Sequence, residues 1–179
     1  KSLVLHNKIN KENEIEVSCI DKNLIQSLHK TYHEKMMNIL IKLSPKKAKL
    51  FDYSDFSLIK CSKNYNFPFH DDTPNKLLSG VVYLLPEKNL GTIFSSNKDG
   101  SNSKMIEWKQ NRAVFFSRIE RETWHSFKGD GLSDRIALVY NLNTNNIKDV
   151  CRIEKKNYYF SFFRYKINPY MLDYFKFTI

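Results

Sequence analysis

The chain has 179 residues, of which 41% are hydrophobic and 14% aromatic, values that exclude general disorder and predict a single domain over residues 1–179. Its net charge of +10 comes from lysines spread along the chain without a basic block, so nucleic acid is an alternative partner that is not favoured. No run of about 18 apolar residues is present, and the three cysteines are too far apart for a zinc ribbon, so we expect a cytoplasmic protein with no membrane contact.

The N-terminal part predicts one supporting helix. Residues 1–20 have no clean period, so we expect an irregular lead-in with a short edge strand at 14–19. Asp21 is a suitable helix cap, and Ser44-Pro45 ends the helix because proline disfavours a helical residue before it. Large apolar side chains recur between these points at helical spacing: Leu24, Leu28, Tyr32, Met36, either Ile39 or Leu40, and Leu43. We therefore predict a helical support at about 21–52 that packs through this stripe.

Two histidines of the predicted helix, His29 and His33, lie four residues apart, which is the spacing of neighbours on one helix face. The nearby acidic residue, Glu34, points in another direction. We therefore expect surface histidines here and no metal pair.

From residue 55 onward, short apolar runs are separated by turn residues, a pattern typical of many strands. Strands are predicted at 56–62, 67–72, 77–85, 91–95, 104–108, 112–117, 122–128 and 134–142. Eight short strands without a repeat favour a sandwich or a jelly roll. The sequence thus predicts a mainly β core at about 55–142.

The run at 134–142 alternates strictly, so it has two different faces. Its even positions are large and apolar and are expected to pack in a core with the helix: Ile136, Leu138, Tyr140 and Leu142. Its odd positions are expected to face a cavity in which small side chains leave space beside Arg135: Arg135, Ala137, Val139 and Asn141. One face of the run at 77–85 is expected to line the same cavity: Ser79, Val81 and Tyr83.

The C-terminal segment at 150–179 is dense in tyrosine and phenylalanine, with Arg164, Lys166 and Lys176 among them. Aromatic residues interleaved with basic residues can stack on nucleic-acid bases. Large aromatic side chains more often serve cores and interfaces. We therefore expect this segment to pack over the sheet.

The stretch Phe67–Asp72 carries two side chains that can bind one metal ion. Residues two apart in an extended segment point to the same face, so His70 and Asp72 present a nitrogen and an oxygen together. A second histidine, His125, lies in another strand-like run. Two histidines and one carboxylate with open coordination positions form the facial triad of non-haem Fe(II) oxygenases.

Arg135 follows the second histidine by ten positions and begins the alternating run. This position adds to the indications that the two histidines and the carboxylate form one site. The alternative is that Arg135 pairs with Asp130 or Asp134 and that the two histidines are ordinary hydrogen-bonded residues.

Taken together, these pieces resemble the 2-oxoglutarate and Fe(II)-dependent oxygenase superfamily, in particular its prolyl-hydroxylase-like branch. The matching segments are His70–Asn75, Leu78–Leu84, Gly91–Phe94, Arg112–Phe116, Trp124–Ser126 and Arg135–Leu138. The resemblance implies a double-stranded β-helix, that is, a cupin-like jelly roll, with the N-terminal helix as a support. It also implies an oxidoreductase that uses O2.

The resemblance assigns roles to five residues. His70, Asp72 and His125 would hold Fe(II), and Arg135 would bind the far carboxylate of 2-oxoglutarate. Tyr83 would donate its hydroxyl to the same carboxylate. Ascorbate is a further expected reductant. The implied reaction is hydroxylation of a protein side chain, an amino acid or another small molecule, with succinate and CO2 as co-products.

At two positions this chain differs from other branches of the same superfamily. The nucleic-acid demethylases carry a second arginine where this chain has Asn141, and the plant-type small-molecule enzymes carry serine where it has Ala137. Both differences favour the prolyl-hydroxylase-like branch. Two alternatives stay open: a nucleic-acid-directed oxygenase with the same iron site, and a non-catalytic cupin-like metal-binding protein.

Overall fold

Ten β-strands and four α-helices make up residues 2–170, the part of the chain that the computed structural model describes. The strands are β1 (Ser2–Asn10), β2 (Ile15–Val17), β3 (Tyr53–Cys61), β4 (Asn66–His70), β5 (Lys76–Leu85), β6 (Thr92–Ser95), β7 (Lys104–Ile106), β8 (Ala113–Phe116), β9 (Trp124–Lys128) and β10 (Arg135–Asn143). The helices are α1 (Lys22–Leu43), α2 (Pro45–Ala48), α3 (Ile147–Glu154) and α4 (Tyr158–Phe162), followed by a π-helical turn (Phe163–Ile167) and a 3-10 turn (Asn168–Tyr170). All eight strands predicted after residue 55 are present, with bounds within a few residues of those expected.

The strands form two antiparallel sheets. The larger sheet has the order β2-β1-β3-β10-β5-β8, and the smaller has the order β4-β9-β6-β7. Side chains from both sheets line one cavity, including Val81 and Val139 of the larger sheet and Phe67 and Phe127 of the smaller. The sheets therefore face each other, and the prediction of a mainly β jelly roll with a supporting helix is confirmed.

Helix α1 packs against the outer face of the larger sheet. The helix begins as predicted, with the Leu24 backbone N–H donating to the Asp21 side chain at 3.0 Å. The core between helix and sheet contains three of the four even positions of β10 that were predicted to pack there, Leu138, Tyr140 and Leu142. The fourth, Ile136, is half-buried and is not part of this core. Removing a large side chain from such a core costs about 2–5 kcal/mol, so this layer holds the helix in place.

The buried stripe of α1 differs from the predicted one. Leu24, Tyr32 and Leu43 are exposed, and the buried residues of the helix are Ile25, His29, Met36 and Leu40. The prediction assumed that every member of the stripe would be apolar. A histidine occupies one of the inward positions, so the apolar pattern alone placed the stripe wrongly.

The prediction that His29 lies on the surface is wrong. Only 6% of its surface is exposed. The Tyr140 hydroxyl lies 3.0 Å from His29 Nδ1, and the Asn13 side-chain oxygen lies 3.0 Å from its Nε2. Since an amide oxygen can only accept, Nε2 carries the proton and Nδ1 accepts from Tyr140. The His33 ring stacks on His29, with ring centroids 4.5 Å apart.

The N-terminal lead-in is also more regular than predicted. Strand β1 pairs with β3 along its whole length, from Ser2 opposite Cys61 to Asn10 opposite Tyr53. Its pattern escaped prediction because a fully buried position is held by Asn7, whose amide donates to backbone carbonyls and accepts from the Cys19 N–H. The short strand β2 falls within the predicted edge strand at 14–19.

The C-terminal segment is helical as far as it is described. Residues 171–179 of the predicted aromatic segment lie outside the described residues. Within residues 2–170, no helix is both long enough and apolar enough to span a membrane.

Acidification tests the buried state of His29. Burial, with a smaller contribution from His33, lowers the pKa of His29 from 6.5 to about 4. Protonation therefore favours the unfolded chain, and the stability that neutral His29 contributes is complete above pH 6.5 and is lost as the pH falls toward 4. Between these pH values we expect His29→Gln to lose about 2 kcal/mol less unfolding free energy than the wild type, measured by urea denaturation.

The matched control is His6→Gln, which removes an exposed histidine from β1. An equal acid-induced loss of stability in the wild type and in His29→Gln would contradict the prediction.

Candidate metal centre

The two predicted histidine ligands stand opposite each other on neighbouring strands. Strands β4 and β9 pair so that His70 faces His125, and their ring centroids are 4.1 Å apart. Asp72 follows two residues after His70 and is 5% exposed. One ligand atom from each of the three residues lies within 4.8 Å of those of the other two. The structure thus brings together the three side chains that the sequence singled out.

Both imidazole rings are held in the same way. His70 Nδ1 lies 3.1 Å from the Pro68 carbonyl oxygen, and His125 Nδ1 lies 3.3 Å from the Thr123 carbonyl oxygen. Because a carbonyl oxygen can only accept, each Nδ1 must carry the proton. Each Nε2 is then left with a lone pair, which is the state that binds a metal ion. Nε2 of His125 lies 4.0 Å from Asp72 Oδ2.

The Asp72 carboxylate is held by two donors. Lys76 Nζ lies 2.7 Å from Oδ1, and the Ser79 hydroxyl donates to Oδ2. Burial opposes ionisation, but the charge of Lys76 and these two hydrogen bonds outweigh it, so the pKa of Asp72 is well below its ordinary value. Neither donor was predicted as a site residue, although Ser79 was placed on the face toward the cavity.

Burial has the opposite effect on the two histidines. It lowers the pKa of His125 to about 4, against the attraction of Asp72. Burial also lowers the pKa of His70. At neutral pH the cluster therefore consists of two neutral imidazoles and one carboxylate, the protonation states that metal binding requires.

The cluster lies in a cavity of about 410 Å³ between the two sheets. Its lining includes all four odd positions of β10, which confirms the predicted face: Arg135, Ala137, Val139 and Asn141. Ser79 and Val81 line it as well, as expected. Aromatic rings pack beside the histidines, with Phe67 4.3 Å from His70 and Phe116 4.8 Å from His125 between ring centroids.

Arg135 is buried in this cavity with 4% of its surface exposed. Its guanidinium carbon lies 3.9 Å from the centre of the Phe127 ring and 5.0 Å from that of Trp108. Its Nη1 has no hydrogen-bond partner among residues 2–170. A buried cation is costly unless it is paired, and an anionic ligand in the cavity would supply a partner for Nη1.

The alternative pairing of Arg135 with a neighbouring aspartate does not occur in the structure. Asp134 pairs with Lys60 at 3.3 Å. Asp130 accepts hydrogen bonds from the backbone N–H groups of Leu132 and Ser133. Both carboxylates therefore have other partners.

The prediction that Tyr83 lines the cavity with Ser79 and Val81 is wrong, because Tyr83 lies beneath the guanidinium of Arg135 and its hydroxyl is hydrogen-bonded to Thr92. Its hydroxyl donates to the Thr92 hydroxyl at 2.8 Å and accepts from the Thr92 backbone N–H at 2.9 Å. Its ring stacks on Trp108 and is 6.0 Å from the guanidinium carbon of Arg135. Thr92 itself lines the cavity. The predicted contact of Tyr83 with a bound carboxylate stays a prediction.

Comparisons with known proteins agree with this fold. No family model matches the sequence, and no curated protein matches it. Among solved structures, a prolyl 4-hydroxylase from Phytophthora capsici matches over 78% of this chain at 14% identity and a TM-score of 0.52. A bsmA homolog from Methylobium petroleophilum PM1 matches over 80% of this chain and 72% of its own, at 9% identity and a TM-score of 0.54.

The chain spans about half the length of that prolyl 4-hydroxylase, 48%. At such low identities these likenesses show the fold. The protein is thus a jelly roll. It carries a cluster of two histidines and one aspartate that could hold a metal ion.

A metal titration tests the cluster. We expect the wild type to bind one Co(II) or Mn(II) ion, and His70→Ala, Asp72→Ala or His125→Ala to lower the affinity by more than about 100-fold, because losing a ligand exceeds the 10–100-fold cost of losing an outer-shell partner. Calorimetry under anaerobic conditions gives the affinities. Binding should weaken as the pH falls toward the pKa of His125, about 4.

His33→Ala is the control, since it removes a histidine from α1 without touching the cluster. Unchanged metal affinity in His125→Ala would rule out the site.

Proposed function

We propose that the protein is an Fe(II)- and 2-oxoglutarate-dependent dioxygenase that hydroxylates a protein side chain, an amino acid or another small molecule. One observation carries the proposal: a cavity that holds the His70, Asp72 and His125 cluster also contains the buried guanidinium of Arg135, whose Nη1 has no hydrogen-bond partner among residues 2–170. A metal-binding protein without turnover has no need for that second feature.

The donor set suits ferrous iron. Two imidazole nitrogens and one carboxylate oxygen, with the remaining positions open, form the 2-His-1-carboxylate arrangement of non-haem iron oxygenases. The backbone carbonyls of Pro68 and Thr123 orient the two histidines, and the donors to Asp72 orient the carboxylate, before any metal binds. When bound, iron with 2-oxoglutarate supplies the oxidising power from O2 that converts a C–H bond to C–OH, releasing succinate and CO2.

Arg135 supports binding of 2-oxoglutarate. Its planar fork pairs with a carboxylate through two parallel hydrogen bonds, which lysine cannot reproduce. The rings of Phe127 and Trp108 hold the guanidinium in place. We assign it the carboxylate of 2-oxoglutarate that is distant from the metal.

Tyr83 and Thr92 extend this subsite. Because the Thr92 hydroxyl oxygen accepts a hydrogen bond from Tyr83, its own hydrogen is free to donate into the cavity that Thr92 lines. Tyr83 would then act on the carboxylate through Thr92 rather than by direct contact. The apolar walls beside this pair, including Val81 and Phe116, exclude water from the reacting groups.

The decisive experiment is anaerobic loading followed by exposure to O2. Addition of Fe(II) and 2-oxoglutarate should produce the weak visible charge-transfer absorption expected from the family resemblance. Admission of O2 should then release succinate, and a panel of amino acids, peptides and oligonucleotides should reveal the substrate class by stimulating that release. Metal binding without the absorption band and without succinate would favour the non-catalytic cupin-like alternative.

Replacement of Arg135 tests the subsite separately. We expect Arg135→Ala to raise the KM for 2-oxoglutarate by about 10–100-fold, since a hydrogen-bonded charged group contributes about 1.5–3 kcal/mol and each 1.4 kcal/mol is a factor of ten. Arg135→Lys should recover only part of this loss because it keeps the charge without the fork. Succinate formation at varied 2-oxoglutarate gives the KM.

Arg152→Ala is the matched control, because Arg152 is an exposed arginine on α3. An unchanged KM in Arg135→Ala would contradict the assignment of this residue. The metal affinity of Arg135→Ala should equal that of the wild type.

A further inference from the structure

The residue between two of the proposed ligands is fixed by the C-terminal part of the chain. Asp71 lies between His70 and Asp72, and its carboxylate accepts four hydrogen bonds. The two terminal nitrogens of Arg164 donate to Oδ2 at 2.8 Å and to Oδ1 at 2.7 Å. The Tyr165 hydroxyl donates at 2.7 Å and the Arg121 backbone N–H at 2.9 Å.

Arg164 also contacts the strand that carries the third ligand. Its guanidinium carbon lies 5.4 Å from the centre of the Trp124 ring. Trp124 is buried and directly precedes His125 on β9. One side chain thus touches both segments from which the three ligands come.

A chain of buried ion pairs holds Arg164 from the other side. Arg164 Nη1 lies 3.5 Å from Glu120, and the Glu120 backbone N–H donates to Glu154 at 3.0 Å. Arg118 and Lys47 both contact Glu154, at 3.3 and 2.7 Å. Three cations and three anions make up this chain, which links α2 to the ligand segment: Lys47, Arg118, Arg164, Asp71, Glu120 and Glu154.

We infer that Arg164 is a positioning residue for the metal centre, which sets the relative placement of the two ligand segments by clamping Asp71 and Trp124. This inference rests on the proposed metal site. Arg164 touches none of the three ligand side chains in the interactions described above. It acts through the backbone on either side of Asp71 and through the residue before His125.

If Arg164 is removed, its electrostatic effect and its positioning effect change the metal affinity of the site in opposite directions. Removing a positive charge close to a cation site strengthens cation binding by Coulomb attraction to the unpaired Asp71. Loosening the ligand segments weakens it, typically by 10–100-fold for outer-shell groups that orient ligands. The sign of the change in metal affinity therefore distinguishes the two effects.

The experiment is a Co(II) titration of the full chain, followed by calorimetry and by the visible absorption of the bound ion. We expect Arg164→Met to raise the Kd for Co(II) about 10-fold or more and to alter the absorption spectrum. Arg164→Lys keeps the charge but loses the two-pronged contact, and should raise the Kd nearly as much. Tyr165→Phe, which removes one hydrogen bond to Asp71, should raise it less.

Arg152→Met is the control, with thermal unfolding of each metal-free variant to show that it is folded during the titration. A folded Arg164→Met with an unchanged or lower Kd and an unaltered spectrum would overturn the inference. If neither Arg164 variant folds, the Tyr165→Phe affinity decides: an unchanged Kd overturns the inference and a raised Kd supports it. A wild type that binds no Co(II) would overturn the metal site and the clamp together, whereas tight binding by all variants would overturn the clamp alone.

Discussion

The register between β4 and β9 is the constraint on which the site depends. It places His70 directly opposite His125, and because side chains alternate along a strand, a slip of one residue would turn one imidazole to the opposite face of the sheet. The pairing is irregular between Phe67 and His70, where β4 is an edge strand and Pro68 has no N–H to donate. The Pro68 carbonyl is used instead to orient the His70 ring.

Two buried arginines show how the same side chain serves different purposes. Arg164 has a carboxylate in two-pronged contact and further acidic neighbours. Arg135 has aromatic rings around it and an Nη1 without a partner among the described residues. The first arrangement is complete within the chain and is structural. Around Arg135 no anion from the described residues is present, which is why we propose a carboxylate ligand there.

Much of the fold and the set of metal ligands could be predicted because the sequence patterns that indicate them each lie within a short segment. The alternation of β10 and the spacing of His70 and Asp72 each lie within one short segment. The misplaced features depend on contacts between distant segments. His29 became a core residue only through Tyr140, and the link between Asp71 and Arg164 joins residues 93 positions apart without any periodic pattern. Buried polar residues such as Asn7 also interrupt the apolar pattern from which the buried face of a strand or helix is predicted.

The long separation between Asp71 and Arg164 has a consequence for biosynthesis. All three side chains of the cluster are translated well before Arg164, yet the contact that holds Asp71, the residue between His70 and Asp72, requires almost the entire described chain. The nascent chain therefore contains both histidines and the carboxylate of the cluster before the contact between Arg164 and Asp71 can form.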